Sequence, residues 1–132
     1  MYLLDTNICI YLIRKHPAKV LERLMACSPD DVALSVVTLS ELAYGVSKSQ
    51  AQQKNREALE LFLSPFQVLE YPADAAFAYG HIRAELEIKG TPIRGMDLMI
   101  AAHAVAAGAT LVSNNLKEFR RVSGLKTENW AR

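Results

Sequence analysis

Short apolar runs alternate with longer amphipathic segments along this chain, and the alternation predicts its architecture. A short apolar run that ends at a polar residue is typical of a buried strand, whereas apolar positions three and four residues apart are typical of a helix. The predicted strands are 2–4, 32–35, 66–69 and 110–113, with a final edge strand as a further candidate at 125–128. The predicted helices are 8–13, 18–26, 36–46, 51–62, 73–89 and 96–107, and a loop that could include one helical turn spans 114–121.

Proline and glycine mark several of the predicted boundaries. Pro17 suits the first turn of the second helix, and Gly90 and Gly108 follow the two longest apolar helical segments. Short apolar strands that alternate with helices are typical of a parallel sheet covered on both faces. The predicted fold class is therefore α/β, with residues 1–132 forming a single domain around a mainly parallel central sheet flanked by helices.

Four acidic residues lie close to the predicted strand ends. Asp5 ends the first strand, and Glu41 lies in the helix that follows the second. Asp97 begins the helix before the fourth strand, and Glu118 follows that strand. Because ligands of such sheets bind beyond the carboxyl ends of the strands, these four acids are expected to meet at one rim.

Clustered carboxylates repel one another, and their pKa values rise unless a cation lies between them. Oxygen ligands without cysteine or histidine suit Mg²⁺ or Mn²⁺, which can activate water and stabilise charge on a phosphoryl oxygen. The acids therefore favour phosphodiester hydrolysis. Structural roles stay open: Asp97 as an ordinary helix N-terminal acid, Glu118 as a solvated loop residue and Glu41 as a surface residue.

Composition narrows the class of protein. The 132 residues include 15 basic and 14 acidic side chains, so no basic tail is available and any contact with a polyanion requires local positive charge. Cys9 and Cys27 are expected to be reduced thiols, although a disulfide stays open, and no Cys/His spacing fits a zinc site. The apolar runs are far shorter than the ~20 residues that span a bilayer. A charge at residue 5 argues against a secretory signal, so a cytoplasmic protein without membrane association is expected.

Four segments carry a resemblance to a known family. Residues 3–10 read LLDTNICI, 38–45 read TLSELAYG, 97–104 read DLMIAAHA and 111–119 read LVSNNLKEF. In this order and spacing they resemble the motifs of PIN-domain ribonucleases, and within these the VapC toxins of bacterial toxin–antitoxin pairs. The resemblance covers nearly the whole chain, including the closing residues 122–130.

The resemblance implies a PIN fold, bound Mg²⁺ or Mn²⁺, and RNA hydrolysis by a metal-activated water. It assigns metal binding and catalysis to Asp5, Glu41, Asp97 and Glu118, with support from Thr6, Asn7, Ser113 and Asn115. Many PIN domains carry Asp at the position of Asn115, so the fourth ligand stays open between Asn115 and Glu118.

The resemblance also implies a substrate and partners. It is greatest to the enteric type of VapC, and it implies cleavage of initiator tRNA in the anticodon stem-loop, which inhibits translation. It further implies a homodimer and a VapB-type antitoxin, with operator DNA bound only through the antitoxin complex. Arg94, Lys117 and Arg120 are the predicted RNA contacts, and Arg94 is favoured because it directly precedes the third motif.

Rival functions explain fewer of these residues. A phosphatase of the haloacid-dehalogenase type requires a second Asp at the position of Asn7. A non-cutting binding module has no need of repelling acids, and no Gly-x-Gly-x-x-Gly follows the first strand for a dinucleotide. His103 is expected to be a packed histidine rather than a general base, and Tyr79 to lie in the core or on a dimer surface.

Overall fold

The computed structural model describes all 132 residues and contains one five-stranded parallel sheet in the order β3-β2-β1-β4-β5. The strands are β1 (Tyr2–Leu4), β2 (Val32–Ser35), β3 (Gln67–Leu69), β4 (Thr110–Val112) and β5 (Lys126–Glu128). The helices are α1 (Thr6–Arg14), α2 (Ala18–Met25), α3 (Val36–Lys48), α4 (Gln52–Leu63), α5 (Ala73–Ile88), α6 (Gly95–Ala107) and α7 (Leu116–Phe119). The α/β prediction is confirmed, and the candidate edge strand is present as β5.

The differences from the predicted elements lie at the ends of helices and strands, and β3, β4 and β5 are each one residue shorter than predicted. Helix α1 begins at Thr6, two residues earlier than its apolar pattern indicates, because the Asp5 carboxylate accepts a hydrogen bond from the Ile8 amide at 2.9 Å and caps the helix. The segment 114–121 contains the short helix α7. Gly108 ends α6 in the left-handed conformation (φ 64°), which favours glycine and turns the chain directly into β4.

The core has two parts, one on each face of the sheet. Successive residues of a strand point to opposite faces, so Leu3 and Leu4 enter different clusters. Leu3 packs in the cluster that contains Ile82 of α5 and Leu98 of α6. Leu4 packs in the cluster that contains Ile8 of α1. The three central strands β1, β2 and β4 are therefore covered on both sides, as their apolar composition predicts.

The register of the parallel strands aligns their carboxyl ends. Leu4 of β1 pairs with Leu34 of β2 and with Val112 of β4. The residues that follow these three positions are Asp5, Ser35 and Ser113, and all three are buried. Polar groups from three strands consequently lie side by side at one edge of the sheet, which we call the carboxyl rim.

No helix has the length and apolar character needed to cross a membrane. Cys9 is buried, Cys27 is partly buried, and both are free thiols.

Candidate active site

A cleft of about 590 Å³ opens at the carboxyl rim. Three of the predicted acids line it, together with the predicted supporting and RNA-contact residues of the same region: Asp5, Glu41, Asp97, Thr6, Asn7 and Arg94. These side chains come from the β1–α1 connection, α3 and the start of α6, which lie far apart in sequence. The parallel register brings them together.

Asp5 is the most buried acid of the cleft, with 5% of its surface exposed. The pKa of its carboxyl is raised to about 6, first by burial and to a smaller extent by the charges of the neighbouring Asp97 and Glu41 carboxylates. Hydrogen bonds from the Ser113 side chain and the Ile8 amide act in the opposite direction. Asp5 therefore caps α1 and faces other acids, an arrangement that a bound cation would stabilise.

Glu41 reaches the cleft from α3 and is fixed by α1. The Thr6 hydroxyl donates a hydrogen bond to Oε1 of Glu41. Thr6 lies in the first turn of α1, directly after Asp5. The Thr6–Glu41 contact thus couples the first and second sequence motifs.

Asp97 lies in the first turn of α6, where the helix dipole favours an anion. Its pKa is nevertheless raised, first by burial and then by the charges of Glu118 and Glu41. The Arg94 guanidinium partly offsets this effect. The electrostatic coupling places Glu118 near Asp97, although Glu118 does not itself line the cleft.

Two hydrogen bonds within the fourth motif begin at Asn115. The Asn115 side-chain amide donates to Oε2 of Glu118 at 2.6 Å, and the Asn115 backbone amide donates to the Ser113 hydroxyl at 2.9 Å. The Ser113 side chain in turn lowers the pKa of the Asp5 carboxyl. Because the Asn115 nitrogen faces Glu118, Asn115 orients that acid in this arrangement.

The predicted RNA contacts occupy different places. Arg94 precedes α6 and lines the cleft. Lys117 and Arg120 are exposed on and just after α7 and do not line the cleft. Arg94 is thus the one cation of the three that reaches the acids.

The structure agrees with the expected packing of His103 but places Tyr79 partly on the cleft. His103 is buried beneath the rim, where its Nδ1 lies 2.7 Å from the Ser35 hydroxyl, in agreement with a packing role. Tyr79 packs partly against the core but also lines the cleft. Its sequence context gave no sign of this, because a tyrosine in a long helix fits a core position equally well.

The donor set fits a hard divalent cation. It offers carboxylate, hydroxyl and amide oxygens and no thiolate, and it includes a buried acid whose pKa is raised in the absence of a counter-charge. No three His, Cys, Asp or Glu side chains stand close enough to coordinate one ion directly. Mg²⁺ commonly keeps several waters and takes one or two carboxylates, so an ion of this kind matches the spacing.

An acid-lined cleft at the carboxyl rim of a five-stranded parallel sheet is the arrangement that the sequence motifs predict, and the PIN domain family model matches residues 2–125. The chain belongs to the PIN-domain family, whose nucleases depend on divalent metal ions. Within that family it is similar to the VapC ribonucleases along its whole length.

Similar sequences and similar solved structures both come from VapC proteins. The chain is 47% identical over 131 residues to Ribonuclease VapC2 of Rickettsia felis, which covers 98% of both chains. It is 47% identical over 130 residues to the tRNA(fMet)-specific endonuclease VapC of Shigella flexneri, again with 98% of both chains covered. Its fold matches VapBC2 of R. felis bound to a promoter DNA fragment (TM-score 0.93, 46% identity, 98% of both chains). It also matches DNA-bound VapBC of Salmonella typhimurium (TM-score 0.92, 43% identity, 98% of this chain and 97% of that one).

Proposed function

We propose that the protein is the ribonuclease toxin of a toxin–antitoxin pair and that it cuts initiator tRNA in the anticodon stem-loop, thereby inhibiting translation. The observation that carries this proposal is the meeting of Asp5, Glu41 and Asp97 in one cleft. The substrate is supported by 47% identity to an enzyme named for tRNA(fMet) cleavage. The three acids support phosphodiester hydrolysis, and the similarity to the tRNA(fMet)-specific endonuclease supports initiator tRNA as the substrate.

We assign the metal to Asp5 and Asp97, with Glu41 and Glu118 acting through water, and we propose Mg²⁺ or Mn²⁺ as the ion. When bound, such an ion supplies an activated water and stabilises charge on the phosphoryl oxygen. The hydrogen bond from Thr6 to Glu41 and that from Asn115 to Glu118 hold the outer acids in place. Such supporting contacts preserve ligand orientation.

Arg94 is proposed to bind an RNA phosphate at the mouth of the cleft. The acids repel the RNA backbone, and Arg94 is the predicted cation that lines the same cleft. A guanidinium can hold a phosphate through two parallel hydrogen bonds. Lys117 and Arg120 are proposed to contact the backbone farther from the cut, because they lie outside the cleft lining.

The proposed protein partner is a VapB-type antitoxin, and its proposed site is a groove of about 620 Å³ between α1, α3 and α4. Ile10, Ile13 and Val46 give this groove apolar walls, and Thr6 and Glu41 line both the groove and the cleft. A segment bound in the groove would therefore adjoin the acids. Two of the solved structures that it matches are VapBC complexes with DNA, which supports an antitoxin partner and contact with operator DNA through the antitoxin complex. We also propose that the protein is a homodimer.

The test is cleavage of purified tRNA with Mg²⁺ or Mn²⁺, repeated with EDTA and with Asp97→Asn. We expect cuts at one position of initiator tRNA, lost both on chelation and in the variant. Asp74→Asn is the matched control, because Asp74 is also an acid in the first turn of a helix but is exposed outside the cleft. Cleavage that persists in Asp97→Asn, or tRNA that stays intact with wild-type protein and metal, contradicts the proposal.

A further inference from the structure

A smaller pocket of about 170 Å³ opens beside the cleft, between α5 and α6. We call it the side pocket. Tyr79 and Gly95 line both the side pocket and the cleft. A polymer that lies along the cleft therefore passes the entrance of the side pocket.

The side pocket has an apolar floor and a polar mouth. Leu86, Ile93 and Leu98 form the floor, and each is at least 92% buried, with 2%, 8% and 2% of its surface exposed. Arg83 and Glu87, both exposed side chains of α5, lie at the mouth. The pocket thus offers a surface for a flat apolar group and polar partners for that group's edge.

The polar groups of the mouth are already held in position. Arg83 donates through Nη1 to the Tyr79 hydroxyl at 3.0 Å and through Nε to Oε2 of Glu87 at 3.1 Å. The Arg83 guanidinium also lies 6.0 Å from the centre of the Tyr79 ring. These contacts fix the Tyr79 ring as a wall between the two cavities and leave further donors of Arg83 for a ligand.

We propose that the side pocket receives an unstacked nucleobase of the RNA, from a nucleotide next to the scissile phosphate. This inference rests on the proposed ribonuclease function. Proteins that bind single-stranded RNA stack bases on aromatic rings and on arginine, and hydrogen-bond their edges. Arginine supplies donors and glutamate an acceptor for such an edge. A phosphate fits less well, because Glu87 neutralises Arg83 and the floor is apolar.

The first test is steady-state cleavage of an anticodon stem-loop RNA by Tyr79→Leu and by Arg83→Ala. Loss of a stacked base is expected to raise KM about 5- to 100-fold, with kcat within about twofold of wild type. Leucine keeps apolar bulk at position 79, and Arg83 is exposed, so its variant tests the inference even if Tyr79→Leu fails to fold. Arg56→Ala is the matched control, because Arg56 pairs with Glu60 at 2.9 Å with the same helical spacing, but on α4.

The second test removes the base instead of the protein side chain. Stem-loop RNAs that carry one abasic nucleotide, placed in turn at each position beside the mapped cut, are cleaved by wild type and by both variants. At one position the abasic RNA should raise the wild-type KM as much as Tyr79→Leu does, and the variants should then have no further effect. A merely structural role of Tyr79 would lower activity on every RNA alike.

The outcomes separate the inference from the proposed function. Efficient wild-type cleavage with unchanged KM in both variants, or equal variant effects on intact and abasic RNA, overturns the nucleobase pocket and leaves the nuclease intact. If Tyr79→Leu and Arg83→Ala bind the antitoxin more weakly than wild type but have an unchanged KM for RNA, the nucleobase pocket is also overturned and the side pocket is assigned to protein binding. Failure of wild type to cut any RNA overturns the proposed function itself.

Discussion

The hydroxyl of Thr6 donates a hydrogen bond to Oε1 of Glu41, although the two residues are 35 positions apart in the chain. Thr6 follows Asp5, the first residue after β1, and Glu41 lies on α3. The contact therefore joins two of the four sequence motifs at the cleft. It is a supporting contact, because it positions an acid and carries no chemistry of its own.

Replacing Thr6 by Val should lower tRNA cleavage about 10- to 100-fold, which is the usual cost of losing a contact that orients a metal ligand. Valine keeps the shape of threonine and removes the hydroxyl that holds Glu41. The effect should appear mainly as a higher Mg²⁺ or Mn²⁺ concentration for half-maximal rate. Thr6→Ser keeps the hydroxyl and is expected to stay near wild type; an unchanged metal requirement in Thr6→Val would show that this contact is dispensable.

Asp5 should make the metal-free protein less stable at neutral pH than a neutral residue would. Its folded-state pKa is raised from 3.8 to about 6, so the folded protein holds this proton more tightly than the unfolded chain does. The free energy of unfolding contributed by Asp5 is therefore highest below pH 4 and is lost as pH rises through 6. Asn at this position still caps α1.

Urea unfolding in EDTA measures whether the contribution of Asp5 to the free energy of unfolding falls as pH rises. Asp5→Asn should be more stable than wild type at pH 8, by up to about 3 kcal/mol, and the difference should shrink towards pH 4. The order of magnitude follows from the shift of the pKa of the buried Asp5 carboxyl. A stability difference that is constant between pH 4 and pH 8 would mean that Asp5 is not under electrostatic strain.

His103 should have the opposite pH dependence. Burial lowers the pKa of its imidazole from 6.5, while the neutral ring lies against the Ser35 hydroxyl. The unfolded chain then binds the proton more readily, so the contribution of His103 is present above pH 6.5 and is lost on acidification below that value. Ring-proton NMR should find a midpoint below 6.5, and the stability advantage of wild type over His103→Gln should decrease from pH 7 to pH 5. A midpoint at or above 6.5 would contradict the burial argument.

The groove between α1, α3 and α4, which we propose as the antitoxin site, leads to a prediction that is separate from catalysis. Tyr44 lines the groove with 65% of its surface exposed. Tyr44→Ala should weaken antitoxin binding by about tenfold or more, since interface tyrosines are often dominant contacts. RNA cleavage by the free toxin should not change. Leu61→Ala is the control, because Leu61 is 76% exposed on α4 but does not line the groove; equal effects of the two variants would argue for a different interface.

The fold could be predicted from the sequence because short apolar runs that alternate with helices are typical of strands in a parallel sheet whose two faces are both covered. The candidate site could be predicted only in part. Asp5 was evident because an acid directly after a buried strand lies at the rim. The arrangement of Asn115 and Glu118 was not evident, because it depends on the directions of two side chains, one directly before α7 and one within it. Tyr79 was missed because its position on the cleft depends on how α5 packs beside α6.

The proposed active site requires that acids distant in the sequence converge to bind one divalent cation. Mn²⁺ binding, followed by electron paramagnetic resonance in wild type, Asp97→Asn and the control Asp74→Asn, tests it directly. We expect wild type and the control to bind Mn²⁺ alike, and the affinity of Asp97→Asn to be at least about tenfold weaker. Equal Mn²⁺ affinity in all three proteins would show that the cleft acids do not hold the ion.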